Sequence, residues 1–202
     1  MAFETYIISW NITKRCNLHC AHCYLDASHL SGNSKDELST IECFRLIDQM
    51  AEVNPKAVLI LTGGEPLLRK DIFEISRYAS DKGFLTVLGT NGISITDDTA
   101  IKIKDSGLKG VGVSLDSLSK ERHDSFRGIK GAWDNTIRGI EEIKKIGLEF
   151  QIQTTVTRDN YNEIPSIIEF AHKTGSRVFN LFFLVCTGRG EEITDISAEQ
   201  YE

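Results

Sequence analysis

Lys82-Gly83-Phe84-Leu85-Thr86-Val87-Leu88 reads as the end of a helix running straight into a strand. The glycine fits the left-handed position that closes a helix, and the β-branched and apolar run behind it is strand-forming. The same phrase returns at Ser106-Gly107-Leu108, Ile146-Gly147-Leu148 and Thr174-Gly175-Ser176. Working outward from these points, strands are expected at about residues 6–10, 57–62, 84–89, 110–115, 149–156 and 178–185, each bounded by turn formers. Amphipathic helices lie between them. Ile41, Phe44, Ile47 and Ala51, and later Trp133, Ile137, Ile140 and Ile143, recur every three or four residues, giving each helix one buried face. Further helices are expected at about residues 71–81, 96–105 and 162–173, and residues 196–202 read as the start of another.

Strand and helix alternating through short links imply right-handed crossovers and a parallel sheet, an α/β fold. The second strand is apolar on both faces, whereas the fifth alternates Phe150, Ile152 and Thr154 with Gln151, Gln153 and Thr155. A polar inner face suits a partly open barrel around a wet cavity better than a flat doubly wound sheet. No linker or low-complexity tract divides the 202 residues, so one domain is expected.

Composition excludes several classes of function. With 41% hydrophobic residues the chain is not disordered, and its longest apolar run, residues 181–186, is far short of a membrane span. No signal peptide opens the sequence, so a soluble cytoplasmic protein is expected. A net charge of −6 argues against binding duplex nucleic acid through phosphate neutralisation. Cys16, Cys20 and Cys23 crowd together while Cys43 and Cys186 stand apart, a pattern for metal rather than disulfides. Cys43 falls among apolar helix residues and reads as core; Cys186 reads as a small buried residue rather than a thiol facing a cavity.

In a parallel α/β fold the functional groups gather beyond the carboxyl ends of the strands. After strand one comes Thr13-Lys-Arg-Cys16-Asn-Leu-His-Cys20-Ala-His-Cys23, and after strand two Thr62-Gly63-Gly64-Glu65-Pro66. Strand three leads into Thr90-Asn91-Gly92, and strand four ends on Ser114-Leu-Asp116. All four segments share one rim. Three thiolates in a loop can hold a structural zinc with His19 or His22 as the fourth ligand, or an iron-sulfur cube with one iron left open. A redox switch is a third reading, and it leaves the other rim motifs unexplained. Paired glycines admit close backbone approach to a ligand, and the Glu65 carboxylate suits an ammonium group. The rim cations Lys14, Arg15, Arg69 and Arg189 read as solvated surface charge or as partners for carboxylates of a ligand.

Taken together, these motifs resemble the radical S-adenosylmethionine (radical SAM) superfamily over essentially the whole chain. The resemblance implies a partial (β/α)6 TIM-type barrel of parallel strands and a 4Fe-4S cluster on Cys16, Cys20 and Cys23, with S-adenosylmethionine chelating the open iron. It implies an enzyme that cleaves S-adenosylmethionine reductively to a 5′-deoxyadenosyl radical for hydrogen abstraction, fed by an electron donor such as a flavodoxin or ferredoxin. Carried over residue by residue, His22 and Leu184 fall near the adenine, and Gly63, Gly64 and Glu65 meet the methionine amino group. Asn91 and Ser114, with Asp116 beside them, fall near the ribose or methionyl end, and Arg127 is the partner for the methionyl carboxylate. No acid or base residue is implied for the first step.

His123-Asp124-Ser-Phe-Arg127-Gly128 and Leu184-Val-Cys186-Thr-Gly188-Arg189-Gly190 are similar to the haem-biosynthesis and SPASM-type branch, whose members carry a C-terminal auxiliary-cluster domain. Cys186 stands where similar endings have proline. Two remaining cysteines cannot build auxiliary clusters, so a truncated or stand-alone core is expected. The substrate implied is a haem-precursor tetrapyrrole, with a peptide as the alternative, in a cavity lined by Gln151, Gln153 and Asn180. A zinc-stapled binding module without catalysis is the reading of a different class.

Overall fold

The crossover connections all carry helices to the same side of the sheet, because each strand pairs with the next one in the chain. The strands are β1 (Ile7–Thr13), β2 (Val58–Gly63), β3 (Leu85–Thr90), β4 (Gly110–Ser114), β5 (Glu149–Val156) and β6 (Val178–Phe183). They form one parallel sheet in the order β1-β2-β3-β4-β5-β6. A doubly wound sheet needs a reversal of strand order to place helices on both faces. This sheet has none, so its second face is left as the inner wall of an open barrel. The structure is a computed structural model and describes residues 6–27, 37–193 and 195–201. No helix among them is long and apolar enough to cross a membrane.

The helices are α1 (Thr40–Val53), α2 (Ile72–Asp81), α3 (Asp97–Asp105), α4 (Lys120–Arg127), α5 (Ala132–Lys145), α6 (Ile164–Thr174) and α7 (Ala198–Tyr201). Leu59, Leu61, Leu88, Val113 and Ile152 face them from the sheet, and Ile47, Ile75, Ile103 and Ile143 face back, all fully buried in one core. Each such side chain contributes about 1.5–3 kcal/mol of burial. The opposite face bears Gly110, Gly112, Gln151 and Gln153, with Asn180 Nδ2 donating to Gln151 Oε1 at 3.0 Å. The polar period of β5 therefore lines the barrel interior.

The structure departs from expectation in five places, the first of them Ile41, which lies exposed in the first turn of α1 instead of on its buried face. β1 continues through a bulge to Thr13, because the loop after β2 supplies it with partners. β6 stops at Phe183, beyond which the chain turns back on itself. α4 carries no apolar period: its buried residues are His123 and Arg127, one turn apart. Cys186 is exposed rather than buried, whereas Cys43 lies in the core as expected.

Candidate cofactor site

The loop carrying the three cysteines is seated on its neighbours by backbone contacts. Gly64 N donates to Thr13 O at 2.8 Å and Glu65 N to Arg15 O at 2.7 Å. A Cβ at Gly64 would lie 2.2 Å from Arg15 O, so no other residue fits there without moving the loop. The glycine pair thus carries the start of the cysteine loop as well as facing the cavity. On the far side Ala21 N donates to Phe126 O at 2.9 Å and His19 N to Arg127 O at 3.2 Å. Leu18, Ala27 and Ala132 close a small apolar cluster around Cys16 and Cys20.

Cys16, Cys20 and Cys23 line one cavity of about 260 Å³. Each sulfur faces one N–H donor: Leu18 N to Cys16 at 3.4 Å, Ala27 N to Cys23 at 3.4 Å, and the Arg127 guanidinium to Cys20 at 3.8 Å. Burial pushes the Cys16 thiol up to about 11 and raises Cys20 as well, so holding these two as thiolates calls for a compensating cation. Among the described residues no three His, Cys, Asp or Glu side chains converge on a single-ion site. Neither histidine joins the sulfurs: His19 is exposed, and His22 lies flat on Phe126 with ring centroids 4.4 Å apart. Three thiols around a hollow, each with an N–H donor, fit an iron-sulfur cube better than a four-ligand zinc.

Of the other expected site residues, Gly63, Gly64, Asn91, Ser114, His22, Arg127 and Leu184 border this same cavity. Burial lowers the His22 pKa to about 4, which leaves the ring neutral, and its buried Nδ1 meets no hydrogen-bond partner among the described residues. Glu65 and Asp116 sit behind the wall. Glu65 is fully buried, and its carboxylate accepts from Thr90 Oγ1 at 2.8 Å, Asn91 N at 2.9 Å and Leu67 N at 3.1 Å. It ties the glycine corner to the end of β3. Asp116 accepts from Arg127 Nε at 2.6 Å, from a second Arg127 nitrogen, and from Thr155 N at 2.9 Å. Burial works to raise the Asp116 pKa, and the Arg127 charge leads the interactions that hold it below the ordinary carboxylate range. Arg127 spends three of a guanidinium's five N–H groups on Asp116 and Cys20. Among the described residues the other two make no hydrogen bond.

The rim cations are mostly committed. Arg69 is buried and donates to Ile12 O, Leu38 O and Asp71, Arg15 lies 3.6 Å from Glu37, and Arg189 folds onto the cysteine loop. Two site residues escaped the sequence reading. Asn17 accepts from Asn91 Nδ2 at 2.7 Å, and only its place directly after Cys16 could have flagged it. Phe126, the stacking partner of His22, lies inside a motif that the sequence singled out for Arg127. A larger hollow of about 610 Å³, beside α4 and the loop after β5, includes none of the three cysteines.

Comparison with known proteins agrees with this geometry. Residues 10–171 match the Radical SAM superfamily. The chain is 42% identical over 196 residues to an AdoMet-dependent heme synthase of Methanosarcina barkeri, covering 97% of this chain and 55% of that protein. It is 42% identical over 199 residues to another of Oleidesulfovibrio alaskensis, covering 97% and 50%. It thus spans about half the length of these curated relatives. A solved structure titled native anSMEcpe with bound AdoMet and Kp18Cys peptide superposes with a TM-score of 0.77 at 19% identity, over 98% of this chain and 56% of that one. AdoMet is S-adenosylmethionine, so a protein of this fold has been seen holding the cofactor that the cysteine loop and glycine corner suggest. The chain belongs to the radical SAM superfamily.

Proposed function

We propose that these 202 residues form the core domain of a cytoplasmic enzyme that modifies a haem-precursor tetrapyrrole. The observation that carries the reading is the set of three thiols, two of them buried and the third half-buried, each with its own N–H donor, opening on the cavity bordered by the glycine corner. The tetrapyrrole is favoured by identity to AdoMet-dependent heme synthases. A peptide substrate is the second reading, favoured by the peptide named with the superposed structure. When bound, a 4Fe-4S cluster and S-adenosylmethionine supply reducing power and the radical that abstracts hydrogen.

The protein's part is to place and shield. Cys16, Cys20 and Cys23 would hold the cluster. The backbone at Gly63 and Gly64 would take the methionine amino group, and the two free N–H groups of Arg127 its carboxylate. Asn91 and Ser114 would meet the ribose or methionyl end, and neutral His22 with Leu184 would flank the adenine. Glu65 and Asp116 act from behind by fixing Asn91 and Arg127. Gln151, Gln153 and Asn180 would line the space left for substrate. A ferredoxin or flavodoxin would deliver the electron, and a reducing compartment suits five unpaired thiols.

The test is anaerobic reconstitution with iron and sulfide, followed by electron paramagnetic resonance of the reduced protein with and without S-adenosylmethionine. A signal that changes on adding S-adenosylmethionine and is lost in Cys20→Ala is expected. A colourless protein that retains one zinc and gives no signal would leave the zinc-stapled module instead.

A further inference from the structure

The turn that follows β6 is bound to the cysteine loop more tightly than to its own strand. Thr187 N donates to Val185 O at 2.8 Å and Gly190 N to Thr187 O at 3.1 Å, which folds residues 185–190 into a compact hook. The hook lies on Cys23. Arg189 N donates to Cys23 O at 3.2 Å, and a Cβ on Gly188 would stand 2.7 Å from that same oxygen. The Arg189 side chain reaches further along the loop. Its Nε donates to Cys20 O at 2.8 Å, its two terminal nitrogens reach Ala27 O at 3.3 and 3.2 Å, and one of them pairs with Asp26 at 2.5 Å. Four of its contacts therefore go to the loop.

We infer that Arg189 is a positioning residue: a buckle that fixes the Cys20–Cys23 half of the cysteine loop to the end of β6. The planar fork of a guanidinium can span three acceptors that point in different directions, which a lysine ammonium on one stem cannot. Cys20 is consequently gripped twice, at its sulfur by Arg127 from the β4 side and at its carbonyl by Arg189 from the β6 side. Val185 of the hook and Leu184 just before it belong to the cavity wall. The cluster-bearing half of the loop and that part of the wall are thus one mechanical unit, and a displacement of either is transmitted to the other.

For its effect on a cluster the inference rests on the proposed cofactor site, but the buckle itself can be read in the chain without cofactors. Hydrogen exchange of that chain is expected to be about tenfold faster in Arg189→Ala for peptides covering residues 18–27, since charge-assisted bonds are lost there. Strand peptides should exchange as in the wild type. Arg189→Lys should recover only part of the protection, and it serves as the comparison where alanine unfolds the chain. In the reconstituted protein, iron should be lost to a chelator about tenfold faster, and the reduced-cluster signal should broaden and respond less to S-adenosylmethionine. Loop exchange and chelator loss at wild-type rates in both variants would overturn the assignment. A wild type that takes up no cluster would count against the proposed function instead, and the exchange comparison would still decide the role of Arg189.

Discussion

Asp116 is an anion whose every described partner was put in place by another part of the chain. Arg127 comes from the end of α4 and the Thr155 amide from β5. Replacement by asparagine leaves the Arg127 charge buried without its counter-ion, which should cost about 3–5 kcal/mol by chemical denaturation. The pH dependence follows from the depressed carboxyl. The folded pKa lies below the unfolded value of about 3.9, so the stabilisation is complete above roughly pH 5 and fades as pH falls through the folded value. The gap in stability between wild type and Asp116→Asn should therefore narrow on acidification; a gap that stays constant to low pH would show that the ion pair is not its source. The cysteine spacing and the glycine corner are legible in sequence because chemistry and sterics permit few alternatives there. Neither the retreat of Asp116 and Glu65 behind the wall nor the commitment of Arg69 to α2 and β1 could be read, because burial depends on segments far along the chain.

Among the elements, α1 and α4 show what local sequence can and cannot report. α1 opens with a capping box in which Ser39 and Glu42 satisfy each other's backbone N–H groups, and Phe44, Ile47 and Ala51 of its apolar period lie on the buried face, whereas Ile41, in the first turn, is 64% exposed. Ser39→Ala should lower stability by about 1 kcal/mol, measured as a shift of the denaturation midpoint at constant slope. α4 is framed by Ser119 at its start and a left-handed Gly128 at its end, yet its inward face is a histidine and an arginine. Hydrophobic periodicity cannot detect a helix whose core residues are charged or polar. Its signal lay in the caps. The helix matters because it brings Arg127 to Cys20, and because Gly128 seats His19, whose carbonyl would lie 2.4 Å from an added Cβ.

For the whole molecule, the parallel alternation of strand and helix was readable from the repeated helix-glycine-strand phrase, and the wet face of β5 from its own alternation of Phe150, Ile152 and Thr154 with Gln151, Gln153 and Thr155. The open side followed from that wet face, which called for a partly open barrel; which strands form the free edges did not, since pairing at an edge leaves no local mark. β6 exposes apolar residues on both faces: Leu181, Phe182 and Phe183 are each more than 40% accessible. An uncovered apolar edge strand promotes self-association. Leu181→Lys should hold the chain monomeric to several-fold higher concentration in sedimentation velocity; unchanged association would place the sticky surface elsewhere. β1 forms the other edge, with Ile7 at 67% exposure, and among the described residues it does not pair with β6. A closed barrel is a hoop and fixes its own radius through its last row of hydrogen bonds. This sheet is an arc. Its curvature is free to follow what lies against its hollow side, so the bore of the cavity is a property of the occupied protein as much as of the chain.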